Sequence, residues 1–203
     1  TTAPSAPSAV IRIVSSNATN TLAKAGDTIT VTATVDAGTT VTGTIGGKAT
    51  TTNVVSDTTA TLTRILDGSE TEGAGLDFTL VSTDTAGNNT ATVTNIGILD
   101  SSTVRTDFTL PTVGLANGHA DLIVKNADAD VVITATFIEA MALTPTITIE
   151  GPGDCDISAE AMSGTGTTWT YLWDVPADCD GSATVTVAGT DLALNVYAGA
   201  TNL

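Results

Sequence analysis

Apolar and polar residues alternate along much of this chain. From Thr28 to Val35 every second residue is apolar (Ile29, Val31, Ala33, Val35), and the residues between are threonine. Val131, Ile133, Ala135 and Phe137 share one face of a second such run, and Thr146–Ile149 and Ala183–Val187 repeat the pattern. A period of two gives a strand with one buried and one wet face, which suits antiparallel sheets. Threonine, valine and isoleucine are stiff at the first side-chain torsion and fit a pleated strand better than a helix. No window of eleven residues carries a helical stripe; Ile138 to Leu143 comes nearest and is long enough only for a turn. Turn-forming residues separate the runs, as at Gly46-Gly47, Asp67-Gly68, Gly87-Asn88 and Asn117-Gly118. Short strands at near-regular spacing with such turns predict a sandwich or barrel.

The pattern occurs twice. Phe78–Asn88 aligns with Val185–Asn195, with Thr79, Thr83, Asp84, Ala86 and Asn88 matched by Thr186, Thr190, Asp191, Ala193 and Asn195. Lys24-Ala-Gly-Asp27 ahead of one alternating strand matches Lys125-Asn-Ala-Asp128 ahead of another. Each unit is therefore about 100 residues, the size of an immunoglobulin-like sandwich of about seven strands. The predicted class is all-β, two tandem immunoglobulin-like antiparallel β-sandwiches. The predicted boundaries are an arm over 1–8, a first domain over 9–104, a linker over 105–111 and a second domain over 112–203. After Asn195 only eight residues follow, which predicts a short or unfinished last strand in the second unit.

Asp107-Phe-Thr-Leu-Pro111 at the joint, Gly26-Asp27 before a strand, and Asp84-Thr-Ala-Gly-Asn88 before the last strand resemble the tandem Ig-like domains of large bacterial and archaeal cell-surface proteins and adhesins. Both units share the resemblance, although Leu194 stands where that family has glycine. The resemblance implies an extracellular spacer or assembly domain without an activity of its own. Pro4 aligns with Pro111, so the chain reads as a pair taken from something longer. Joints in that family often bind calcium, and the resemblance implies Asp107, with the turn acid Asp84, as ligands.

Composition narrows the classes. Six Lys and Arg stand against 22 Asp and Glu, a formal charge of −16, so the chain will not grip nucleic-acid phosphates. No apolar run approaches a membrane span, and no signal peptide is evident. Threonine supplies 43 residues, and hydrophobic residues make up 41% of the chain, enough for a core. Residues 105–203 carry 13 acids and two bases, against nine and four in residues 1–104. That excess adds Asp154, Asp156, Asp178 and Asp180 as candidate calcium ligands, since hard divalent cations need several oxygens. Solubilising charge is the alternative. The cofactor expectation is a structural calcium ion and otherwise none.

Candidate chemistry is sparse. The single histidine, His119, sits in an Asn-Gly-His turn, and no nucleophile elbow, phosphate loop or zinc-protease helix occurs. The chain is expected not to be an enzyme. Cys155 and Cys179, both flanked by aspartates, occur in one unit and are absent from the other. That is expected of a disulfide and so of an oxidising compartment; two free thiols are the alternative. Trp169, Tyr171 and Trp173 share one strand face, as core or as a binding strip. Threonine ladders such as Thr28–Thr34 admit an ice-contact reading, set against simple strand propensity. Asn17 and Asn88 head glycosylation sequons. The expected function is a non-catalytic extracellular structural spacer pair. The alternatives are a self-assembling surface-layer or filament subunit using strand addition, a ligand-binding adhesin module, and an ancillary domain pair of a secreted hydrolase. The expected partners are neighbouring Ig-like repeats or identical chains, and a cell-surface glycan or protein.

Overall fold

The computed structural model describes residues 2–94, 101–118, 124 and 130–202. They contain strands, turns and no helix. The chain divides into two compact units, Thr1–Phe108 and Thr109–Leu203. Unit 1 holds β1 (Ser8–Ser15), β2 (Leu22–Ala23), β3 (Thr28–Thr34), β4 (Thr40–Ile45), β5 (Lys48–Ala49), β6 (Thr52–Ser56), β7 (Thr59–Ile65), β8 (Phe78–Thr83), β9 (Val93–Thr94) and β10 (Arg105–Thr106). Unit 2 holds β11 (Val113–Ala116), β12 (Val131–Phe137), β13 (Thr146–Glu150), β14 (Ile157–Ala161), β15 (Ser163–Thr165), β16 (Thr168–Trp173), β17 (Thr184–Thr190) and β18 (Val196–Asn202).

In unit 1 one sheet runs β1-β3-β7-β6 and the other β5-β4-β8-β9. In unit 2 the orders are β11-β12-β16-β15 and β14-β13-β17-β18. Each unit thus sets an A-B-E-D sheet beside a C-F-G sheet, the immunoglobulin-like arrangement. The alternation dictates the packing. Along β3 the apolar Ile29, Val31 and Ala33 are buried and the threonines between them are not. Across the ladder Val31 stands opposite Leu62, and Ala33 opposite Ala60. Unit 1 has its own core, centred on Ile11, Ile29, Leu62, Phe78 and Leu80. Unit 2 has another, centred on Ile133, Ile147, Ile149, Trp169 and Val187. Gly43 on β4 lets the strands close: a Cβ there would come within 2.1 Å of the Thr79 carbonyl oxygen.

Three expectations change. The last strand of unit 2 is complete, because β18 pairs with β17 from Val196↔Thr190 to Asn202↔Thr184. The residues after Asn195 alternate poorly in polarity, but seven of them suffice for full pairing with their neighbour. The predicted linker loses its first part, since Arg105–Thr106 pairs in parallel with Leu22–Ala23 and the Asp107 amide donates to the Ala23 carbonyl at 2.8 Å. The predicted arm is also tied down: the Ser5 amide donates to Asp36 Oδ2, Pro7 is buried, and Ser8 already belongs to β1. His119, the Lys125–Asp128 half of the repeat and the end of the strand expected over 91–98 lie outside the described residues.

Candidate functional site

The repeated Asp-x-Ala-x-Asn segment forms the same clasp in both units. Asp84 Oδ1 accepts from the amides of Ala86 at 2.9 Å and Asn88 at 2.8 Å, and Oδ2 accepts from Asn88 Nδ2 at 2.8 Å. Asp191 Oδ1 accepts from the amides of Ala193 and Asn195, each at 2.8 Å, and Oδ2 from Asn195 Nδ2 at 3.0 Å. The Asp84 amide returns to the Asn88 carbonyl, and that of Asp191 to the Asn195 carbonyl. Short polar side chains that bond their own loop favour such turns. Leu194 does not break the equivalence. It takes φ 65°, the left-handed conformation that Gly87 occupies at 84°, at a backbone cost of about 1–2 kcal/mol. The Asn88 side-chain and backbone bonds, the leading causes, pull the Asp84 carboxyl below its ordinary range against a smaller effect of burial.

This geometry bears on the candidate calcium ligands. The Asp84 carboxylate already accepts three N–H donors, so a cation there would compete with its own turn. Asp154, Asp156, Asp178 and Asp180 are exposed around the disulfide, Asp156 accepts from the Gly151 amide at 3.1 Å, and no three of these carboxylates converge within 4.8 Å. They do not fit a calcium site, which takes six to eight oxygens at short range. Asp107 is half-buried beside β10 and stays the candidate ligand in the proposal below.

The cysteines form one disulfide, Cys155–Cys179, with Cα atoms 5.1 Å apart and a sequence separation of 24. It ties the turn before β14 to the segment before β17, and Cys155 is fully buried. A loop of that length stabilises by about 3 kcal/mol on the chain-entropy estimate.

Trp169 and Trp173 are buried, at 7% and 5% exposure, and Tyr171 packs partly against the same core. The strip is core, not a binding face. Burial, with smaller effects from Glu160 and Asp174, pushes the Tyr171 hydroxyl up. Trp169 Nε1 donates to the Gly166 carbonyl at 3.1 Å, whereas Trp173 Nε1 is buried without a hydrogen-bond partner. Leu172 points outward and stands opposite Val132 on β12, both exposed.

Both sequon amides are committed inside the fold. Asn17 is buried, its Nδ2 donates to Asp27 Oδ2 at 2.9 Å, and its Oδ1 accepts from the Thr19 amide. Asn88 Nδ2 belongs to the clasp. A glycan at either nitrogen would displace these bonds.

Sequence reasoning missed Arg64. It follows Ala60 and Leu62 on the inward face of β7 and is 4% exposed. Its Nη1 donates to the Ile45 carbonyl at 3.0 Å, and its Nη2 donates to Glu70 Oε1, whose side chain is 3% exposed. Glu70 Oε2 is buried without a hydrogen-bond partner. Outside this pair Lys48 binds Asp67 at 2.8 Å, and that bond, with those from Ser69, holds the Asp67 carboxyl well below its usual range. A cleft of about 440 Å³ opens beside the network, lined by Thr44, Glu70, Thr71, Leu76 and Asp77 among others. The signal was present: an arginine at an inward-facing position, followed by Asp67 and Glu70 in the next loop.

The strand orders and separate cores make this a pair of tandem Ig-like β-sandwiches. No family model matches the sequence, and no curated protein matches it. Among solved structures the chain is similar to fibronectin(III)-like modules of Clostridium thermocellum CbhA (14% identity over 93% of this chain and 90% of that one, TM-score 0.38). It is also similar to a tandem of titin Ig domains (14%, 98% and 95%, TM-score 0.32) and to the FN1–FN3 domains of chicken CNTN1 (9%, 97% and 68%, TM-score 0.32). At these scores the likeness carries no argument about function. No helix among the described residues is long and apolar enough to cross a membrane.

Proposed function

We propose that the chain is a non-catalytic structural spacer, a pair of Ig-like units from an extracellular or cell-surface protein. The observation that supports it most is the clasp, built identically in two units whose sequences otherwise diverge. The polar residues that stand out in the sequence, Asp84, Asn88, Asp191 and Asn195, spend their hydrogen bonds on holding a turn. The disulfide favours an oxidising compartment, and the acid excess with threonine-covered sheets gives a soluble, highly hydrated surface. Identical chains or neighbouring Ig-like repeats are the partners of this reading. A structural calcium ion held by Asp107 belongs to it as an accessory. Melting in millimolar calcium and in chelator tests that part, since an ion bound only to the folded state raises the transition; coincident melts remove it.

Mechanically, antiparallel sheets with buried cores would carry load along the chain. Stretching single molecules tests the spacer reading: two separate unfolding steps support it. A glycan array tests the adhesin alternative, and selective binding there would replace the spacer reading.

A further inference from the structure

The two outer strands of each sheet differ in how they are guarded. In unit 1, β1 carries Arg12, and its Ile13 amide is taken by Ser102 Oγ at 2.8 Å. β5 and β9 have two residues each, and β5 includes Lys48. In unit 2, β14 carries Glu160 and a break in register between Ile147 and Ile149, while β15 has three residues. Short length, charge and bulges are the usual protections of a sheet edge. β6 has none of them. Its five residues, Thr52-Asn53-Val54-Val55-Ser56, pair in unbroken register with β7. They carry no charge, proline or glycine, and among the described residues no other strand pairs on their outer side. Val54 at the centre is 52% exposed.

We propose that β6 is an interaction edge for a second copy of this chain, joined antiparallel to β6 of that copy about a two-fold axis through Val54. The segment is self-complementary in that arrangement. Val54 meets Val54 of the second copy, Asn53 meets Val55, and Thr52 meets Ser56, so no like charges oppose one another. The nearest acid is Asp57 in the following turn. Six residue steps at about 3.4 Å separate it from its symmetry mate, roughly 20 Å. That is about twice the Debye length at 0.1 M salt, so the joint escapes local repulsion although the chain carries −16. A two-fold interface uses the same patch on both partners, and the pairing turns two four-stranded sheets into one of eight. β11 and β18 are also uncharged edges, but each carries a glycine, Gly114 in β11 and Gly199 at the centre of β18, and glycine weakens strand pairing. The inference adds lateral association to the spacer reading and does not depend on it.

The test uses the full chain. Sedimentation of the wild type over a wide concentration range, at low and high salt, is expected to show a monomer–dimer equilibrium that shifts toward dimer with salt. Val54→Lys is expected to weaken dimerisation at least tenfold with an unchanged melting transition, because the site is exposed. Val54→Cys is expected to form a reducible cross-linked dimer on mild oxidation, faster than Ile65→Cys, whose side chain is exposed (57%) on the neighbouring interior strand. A wild type that stays monomeric at high salt overturns the proposal. So does a dimer that V54K leaves intact, or one that Val196→Lys on β18 dissolves instead.

Discussion

Asp191 holds Asn195 through backbone and side chain at once, with a single carboxylate bonding both nitrogens of the same residue. Asp84 holds Asn88 in the same way, but the two clasps differ in surroundings. Asp191 is fully buried, and Asp84 is half-exposed. Removing a partner from a buried polar group costs more than removing one that water can replace. Asp191→Ala is therefore expected to lower stability by about 2–4 kcal/mol, and Asp84→Ala by less. Denaturant unfolding of the two variants checks the order; a larger loss at Asp84 contradicts it.

Leu194 permits a test of the strain in that turn. Leu194→Gly relieves about 1–2 kcal/mol of left-handed backbone cost and gives back about 0.5–1 kcal/mol through the looser unfolded chain. A small net stabilisation is expected. Gly87→Ala is expected to destabilise by about 1 kcal/mol through the backbone alone, since nothing lies within 4 Å of the added Cβ. Thermal melts of both variants should move in opposite directions.

The Arg64–Glu70 pair sets a double-mutant test. Replacing one partner leaves the other buried charge only a longer contact, Arg64 Nη2 to Asp67 at 3.5 Å or Lys48 Nζ to Glu70 at 3.8 Å, and such losses run to about 3–5 kcal/mol. Arg64→Met and Glu70→Met are each expected to fall in that range, while the double variant loses less than either alone. Additive losses would show that the two side chains act separately.

Trp169 and Trp173 differ by one hydrogen bond. Trp169→Phe gives up volume and the bond to the Gly166 carbonyl; Trp173→Phe gives up volume but removes an unpaired buried donor. The first change is expected to cost about 1 kcal/mol more than the second. Equal costs would place an unseen acceptor at the Trp173 indole.

Acid should destabilise unit 1 through Asp84 and Asp67, whose carboxyls sit below their ordinary value of 3.8 in the fold. A depressed carboxyl stabilises above its unfolded value, and that contribution fades as pH falls through the folded one. The loss is thus expected below about pH 4. Lys48→Met should reduce the part owed to Asp67, as followed by melting between pH 2 and 6.

Strand alternation, two units and the disulfide pair were legible in the sequence because each leaves a periodic or paired signal. Ile29, Val31 and Ala33 announce a buried face, and two cysteines confined to one repeat announce each other. The completeness of β18 was hidden because Val196–Asn202 mixes Gly and Ala with polar residues, and its order comes from pairing with β17. The Arg64 network was hidden because strand parity treats an arginine as an interruption of the inward face, whereas the loop carboxylate that makes it tolerable is six residues away. The clasp was visible as a motif, but its use was not: Asp84 reads equally as a metal ligand until the three N–H donors around it are seen.

The proposed spacer would carry load through two separately cored units in series. Stretching single chains tests it most directly, and the disulfide gives the result a signature. The 24-residue span between Cys155 and Cys179 stays locked when unit 2 unfolds, hiding about 80 Å of contour length at roughly 3.4 Å per residue. Two unfolding steps per chain are expected, one unaffected by reductant and the other lengthened by about 80 Å when reductant is present. A single step releasing the whole chain, or two steps that reductant leaves unchanged, would contradict it.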